Sequence, residues 1–223
     1  MSEGQPVIDV GWIVRNLGDI GQRTLDHVVL TVLAVGIGLL ISFGLALLVR
    51  RWRPLHGPVL AVTGTLYSIP SLALFSLLIP FTGIQSILTA EIALVSYTLL
   101  ILVRNIVTGL DSVPPDVLEA AHGMGYTPWQ RLLRIELPIA LPVILAGVRI
   151  ATVTTVGLVT VTALIGIQSL GSMIYNIGLQ RFFLTATLVG SLGAVALAVI
   201  ADLGISALQR VLTPWSRSRA SGT

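Results

Sequence analysis

Apolar residues run in long stretches along this chain, broken by short polar interruptions, and the pattern predicts helices that cross a bilayer. From Val28 to Val49 no charged residue occurs. At about 1.5 Å per residue such a run spans a hydrocarbon core. It is too long and starts too late to be a cleaved signal peptide, and Arg50, Arg51 and Arg53 end it. A second span is expected near residues 58–80, interrupted by Ser68-Ile69-Pro70 and closed near Pro80. A third covers about 86–104, with Glu91 towards one end and Arg104 at the other. A fourth runs from about 140 to 165 and a fifth from about 184 to 209, ending at Arg210. The expected fold is therefore an all-α membrane protein with five transmembrane helices.

Three zones lie outside this pattern. Residues 1–26 are mixed and polar and read as a surface segment, with a short amphipathic helix around Trp12, Ile13 and Leu17. Residues 166–183 are too weakly charged for a free loop and too short to span, so a re-entrant or gate segment is expected there. The membrane domain proper is 27–212, followed by a short basic tail, 213–223, with no regular structure expected.

The remaining interruption, 119–138, is the one long polar break. It reads as two short helices joined at a bend. Pro114 and Pro115 suit a first helical turn, and Gly123 and Gly125 suit its end. Thr127 is a second N-cap, with Pro128 behind it and Gln130 where a capping box places its partner. Trp129, Leu132 and Leu133 give the second helix an apolar face, and Arg131 and Arg134 give it a basic one.

Composition fixes the class. Hydrophobic residues make up 54% of the chain and charged ones 10%, far below the roughly 25% charge of soluble domains, and the mean hydropathy is +0.93. The length leaves no room for a separate soluble ATPase or ligand-binding domain. Without cysteine there are no disulfides or thiolate metal sites, and His27, His56 and His122 are too scattered to hold a metal. The net charge of +3 comes from flanking arginines on membrane helices, not from a soluble basic face, so no nucleic-acid partner is expected.

Arginine also sets the orientation. With five spans, Arg50, Arg51, Arg53, Arg104, Arg131, Arg134, Arg210, Arg217 and Arg219 fall on one side, and Arg15, Arg23 and Arg181 on the other. The positive-inside bias then puts the N-terminus outside and the 111–138 loop and C-terminus in the cytoplasm.

Glu119-Ala120-Ala121, Gly125, Ile135 and Leu137-Pro138 occur at offsets that resemble the EAA signature of ATP-binding-cassette importer permeases. The residue chemistry fits such a role. Paired alanines let a partner's backbone come close, and a carboxylate beside them can pair with a partner cation. The resemblance implies a bacterial inner-membrane subunit whose loop docks on a separate nucleotide-hydrolysing subunit. It also implies a second permease subunit, identical or closely related, and an extracytoplasmic substrate-binding protein. ATP and Mg would be held by the partner, and this chain needs no cofactor of its own. It carries no glycine-rich phosphate loop, so it is not expected to be an enzyme.

Tyr67-Ser68-Ile69-Pro70-Ser71-Leu72-Ala73-Leu74, Leu141 to Arg149, Ala163 to Gly166 and Leu170-Gly171 are similar to permeases for quaternary-ammonium osmoprotectants: glycine betaine, carnitine, choline and proline betaine. The match departs at Ile167-Gln168-Ser169, where relatives carry smaller, glycine-rich residues. A methionine-type permease is the alternative in the same class. A membrane-embedded enzyme lacks a catalytic constellation here, and a stand-alone channel leaves the Glu119 loop unexplained. With 6% aromatic residues the chain is poorly equipped for a cation-binding cage, which points to selection in the binding protein.

Candidates for the passage are Tyr67, Ser68, Pro70, Tyr97 and Gln168. Pro70 frees backbone carbonyls that a polar path can use, while Tyr67 and Tyr97 serve equally well as interfacial or packing residues. Charges at membrane depth divide between function and structure. Glu91 is read as interfacial, Arg149 as snorkelling or paired within the bundle, and Asp202 as paired with an arginine. Gly36, Gly38, Gly44, Gly190 and Gly193 are read as close helix contacts.

Overall fold

The computed structural model describes residues 8–216. The first seven residues and the end of the basic tail, with Arg217 and Arg219, lie outside the described residues. Every regular element in the described part is helical. Four helices are long and apolar enough to cross a membrane: α2 (Leu17–Arg51), α5 (Ile87–Asp111), the continuous helix Pro128–Ile165, and α10 (Leu184–Leu212). A bent pair, α3 (His56–Ser68) and α4 (Ser71–Thr82), makes the fifth if counted as one span.

α5 is the central rod. It packs against α2, α3, α4 and α8 (Leu137–Val161, the main part of the continuous helix). More than half of its most apolar stretch, 56%, is buried, against 6% for α10. One apolar cluster joins Leu30, Phe75, Leu94 and Val159, and a second joins Val49, Leu102, Ile106 and Ile144. Each draws on α2, α5 and α8, so those three rods form one body.

Several expectations are corrected here. The helix that carries the charge-free run 28–49 begins well before it: α2 is helical from Leu17, through Asp19, Arg23 and Asp26. Asp19 and Arg23 stand one turn apart and pair at 2.8 Å, a spacing that supports helix in a polar stretch. Only Val10–Arg15, here α1, remains as a separate surface helix, capped by the Asp9 side chain. Its Trp12 meets Phe183 edge-on with ring centroids 5.1 Å apart.

The break at Ser68-Ile69-Pro70 turns the chain by 97°. Ile69 takes extended backbone angles, φ −68° and ψ 128°, as a residue before proline prefers. The second segment ends close to Pro80, as expected. α4 runs past it to Thr82, and Gly83 at φ +91° ends it.

The second handle helix is not short. α7 (Pro128–Arg131) passes through a π-helical turn, Leu132–Glu136, directly into α8. The Leu137 N–H reaches back five residues to the Leu132 carbonyl. This widened turn sits just before Pro138, whose ring would crowd a normal α-turn and which has no N–H to offer.

The 166–183 zone is mostly ordered helix: α9 (Leu170–Ser172) continues as a π-helical stretch, Met173–Leu179. Beyond α10, Pro214–Ser216 form one 3-10 turn. Among the glycines read as contacts, Gly38 lies against Thr98 and Gly190 against the Leu170 carbonyl and Ile174, and Gly193 meets Leu170 at ordinary distance. Gly36 and Gly44 face open space, as they lie on the far side of α2 from its buried stripe.

Candidate functional site: the polar handle and its root

The handle begins with α6 (Pro115–Gly123), with Pro115 and Asp116 in its first turn, where a ring without N–H and a negative charge both suit the helix start. It ends in a Schellman arrangement. Gly125 N–H bonds the His122 carbonyl at 3.0 Å and Tyr126 N–H bonds the Ala121 carbonyl at 3.2 Å. Gly125 has φ +77°, the left-handed region that glycine enters freely. The chain then turns into the Thr127–Gln130 capping box, in which Thr127 N–H donates to Gln130 Oε1 at 2.9 Å and Gln130 N–H to Thr127 Oγ1 at 3.3 Å.

Within this frame Glu119 and Ala120 are exposed and Ala121 is fully buried. Among the described residues Glu119 has no hydrogen bond or ion pair. Met124, Trp129 and Leu133 add exposed apolar surface around the bend, whereas Leu132 is buried. Ile135, Leu137 and Pro138 are half-buried in the root that joins the handle to the bundle. The offsets of the motif thus divide into an outward carboxylate and alanine, one bending glycine, and an anchor.

Sequence reasoning missed what holds the anchor. Glu136, 1% exposed, lies between two arginines. One carboxylate oxygen accepts from Arg131 Nε at 2.7 Å, and the other accepts from Arg50 Nη1 at the end of α2. Arg50 Nε also stands 3.7 Å from Asp111 at the end of α5, and Arg53 donates to both Asp111 oxygens at 3.1 and 3.3 Å. Through Glu136 and Asp111, Arg50 at the end of α2 ties the root of the handle to the end of α5. Arg131, read as part of a basic face, is turned inward by this bond, while Arg134 stays exposed. The available signal was an acid, Glu136, set in the apolar start of a span opposite an arginine cluster.

The passage candidates fall into two places. Tyr67, Ser68, Pro70 and Tyr97 meet at the α3–α4 break. Tyr97, 5% exposed, donates its hydroxyl to the Ile69 carbonyl at 2.7 Å, and its ring meets Tyr67 edge-on at 6.1 Å. Ser68 is exposed and bonds back to the Gly64 carbonyl at 2.8 Å. Gln168 lies apart, at the end of the bundle opposite the handle.

There Arg23 extends from α2, and its Nη1 donates to Gln168 Oε1 and Ser172 Oγ. A cavity of about 470 Å³ opens beside them, lined by Asp26, Leu30, Gln85, Gly166 and Ile167 among others. All three residues of the departure from the familiar pattern are in use. Ile167 is buried, Gln168 receives Arg23, and buried Ser169 caps the next helix by accepting from Gly171 N–H at 3.1 Å.

Glu91 lies one turn inside the start of α5, is 8% exposed, and neither carboxylate oxygen has a partner among the described residues. Arg149 and Asp202 do pair, and with each other, between α8 and α10.

The chain is 39% identical over 209 residues to the osmoprotectant import permease protein OsmW of Salmonella typhimurium, covering 92% of this chain and 97% of that one. It is 31% identical over 203 residues to the glycine betaine/carnitine/choline transport system permease protein OpuCB of Bacillus subtilis, covering 91% and 93%. Its fold matches a chain of the MetNI methionine ABC transporter, solved in an inward-facing conformation, with TM-score 0.79 over 88% of this chain and 97% of that one, at 23% identity. Residues 28–218 match the family described as the binding-protein-dependent transport system inner membrane component, and the chain belongs to that family.

Proposed function

We propose that this chain is the transmembrane permease subunit of an ATP-driven importer of quaternary-ammonium compatible solutes: glycine betaine, carnitine, choline or proline betaine. The observation that carries the reading is the handle: a motif-bearing bend with an outward Glu119 and exposed apolar neighbours, rooted by a buried ion cluster, in a chain whose relatives are named for osmoprotectants, glycine betaine, carnitine and choline. The methionine alternative keeps only likeness of fold.

In this reading the arginine-rich end faces the cytoplasm, the N-terminus lies outside, and the C-terminus lies inside. Glu119, Ala120, Met124 and Trp129 dock on an ABC ATPase, which holds ATP and Mg. A second permease subunit pairs with this one, and a binding protein delivers solute to the opposite end. When ATP closes the two ATPases, the handles are drawn together. The Arg50–Glu136–Arg131 cluster passes that displacement to α2 and, through Asp111, to α5, and the cavity between subunits opens outward. The chain itself carries out no bond chemistry.

The test is uptake. Vesicles holding the permease with its ATPase and binding protein should accumulate labelled glycine betaine, carnitine or choline in the presence of ATP, and should not accumulate methionine. Glu119→Lys should leave the permease folded and abolish the coupling of hydrolysis to uptake. Methionine uptake alone, or undiminished transport by Glu119→Lys, would refute the reading. Sidedness is checked separately by a cysteine at Tyr126, which an impermeant reagent should fail to label in intact cells.

A further inference from the structure

Arg149 of α8 and Asp202 of α10 face each other across the groove between the two helices. They form a forked pair: Arg149 Nη2 donates to Asp202 Oδ2 at 2.7 Å, and Nε donates to Oδ1. Depth separates this pair from those at the two ends of the bundle. Arg149 stands about a dozen residues from the start of α8 and Asp202 about ten from the end of α10. At about 1.5 Å per residue both lie roughly 15–18 Å along the helices from those ends, within the apolar membrane-crossing stretches.

Exposure separates it again. Glu136 is shut away, as a purely structural ion is, but the Arg149 and Asp202 side chains are 45% and 28% exposed. They open onto a cavity of about 330 Å³ whose other walls are Ala146, Ile150, Val153 and Thr154. α10, which carries Asp202, is also the least buried of the long helices. Charges at this depth do not face acyl chains; they face protein or a water-filled path.

We propose that Arg149 and Asp202 form a transit site for zwitterions, the guanidinium receiving the substrate carboxylate and Asp202 its quaternary ammonium. The proposal rests on the functional reading above and deepens it. With the pair closed, the lining carries no net charge. A zwitterion that enters exchanges one ion pair for two of the same sense, so no charge is left uncompensated at membrane depth. Choline, a cation without a carboxylate, would occupy Asp202 and strand Arg149, which is costly in a low-dielectric site. The site therefore favours betaines and carnitine over choline. Ala146, Ile150 and Val153 offer the ammonium methyl groups an apolar wall. Without an aromatic cage the hold is weak, as passage requires.

The experiment uses the complete complex, with its ATPase and binding protein, in vesicles. Uptake of labelled glycine betaine and choline is compared for wild type, for Arg149→Gln, and for the neutral pair Arg149→Gln/Asp202→Asn, in which amide groups can still bond each other. Assembly is followed by co-purification of the ATPase. The neutral pair should assemble, retain ATPase activity, and lose betaine uptake by at least about tenfold. In both variants the choline-to-betaine uptake ratio should rise by about tenfold or more. Because the binding protein is the same throughout, its own preference cancels in that comparison. Wild-type betaine uptake by the neutral pair, or an unchanged ratio, overturns the proposal. Failure of the neutral pair to assemble would show the two charges serving the fold, and overturns it equally. If wild type carries neither compound, the functional reading falls and takes the transit site with it.

Discussion

At the arginine-rich end, α2, α5 and the root of the handle are joined by charge, with Arg50 and Arg131 on buried Glu136 and Arg50 and Arg53 beside Asp111. At the opposite end, α2, α8, α10, the 170–179 helix and the start of α1 are joined by neutral acceptors and by backbones that touch. Arg23 reaches Gln168 and Ser172, Asp9 N–H donates to Thr185 Oγ1 at 2.9 Å, and Gly171 lies against the Thr160 backbone. Charge bonds with both carboxylate oxygens engaged resist separation, which under the proposed function suits an end pulled by a partner. Close backbone contact resists added volume, yet it leaves no stranded ion if the helices shift, which under the proposed function suits an end that opens to solute.

The sharpest way to break this contrast is Glu136→Ala. It leaves Arg50 and Arg131 facing a void where their shared anion was. Removing one partner of a buried ion cluster costs about 3–5 kcal/mol. Unfolding of the purified protein in detergent should show a loss of that size, and Glu136→Gln a smaller one. A variant as stable as wild type would mean that the handle is not rooted by charge.

Gly171→Ala tests the other end. A Cβ there would lie 2.1 Å from the Thr160 carbonyl oxygen, so backbone must move, at an overpacking cost of about 1–3 kcal/mol. Gly157→Ala, a mid-helix position with nothing within 4 Å of the added carbon, is the control, expected to be neutral or to stabilise by about 0.5–1 kcal/mol. Equal effects at both sites, measured by the same unfolding assay, would remove the steric half of the contrast.

The two ends also differ in what the sequence discloses. The handle is legible because its signals are local: Pro115, Gly125 and the Thr127/Gln130 pair each act within a few residues. The α3–α4 break is legible for the same reason, since Pro70 acts on its neighbour. Glu136 and Arg50 are 86 positions apart, and nothing in either segment names the other. Hydropathy likewise starts the first span at the first charge-free residue, although the helix has already run from Leu17, carried by the Asp19–Arg23 pair. Gly36 and Gly44 look like Gly38 in sequence; only the placement of α5 tells which one meets Thr98. For Asp202 the type of partner is foreseeable, an arginine, but its identity waits on how α8 and α10 pack.

Between the two ends, Tyr97→Phe asks which style of bonding holds the broken span. The Ile69 carbonyl at the bend accepts from the Tyr97 hydroxyl. Removing that donor leaves a half-buried carbonyl without it, worth about 1 kcal/mol. A loss of that size, with the Tyr67–Tyr97 ring contact intact, places the break with the neutral class. A loss several-fold larger would show the bend depending on this one bond.

The smallest effect sharpens the contrast from within the arginine-rich end itself. Arg53 is bound to Asp111 by two hydrogen bonds, yet its side chain is 67% exposed and that of Asp111 33%. Solvent screens such a pair, so Arg53→Gln should cost under about 1 kcal/mol. That small loss should shrink further as salt is raised, because the Debye length falls from about 10 Å at 0.1 M to about 3 Å at 1 M. The Glu136 deficit should persist under the same salt, since no ions enter a site that is 1% exposed. Unfolding of both variants at low and high salt separates the two outcomes. Parallel salt dependence would mean that the whole cluster behaves as surface charge, and that burial of Glu136 does not distinguish the root of the handle from its rim.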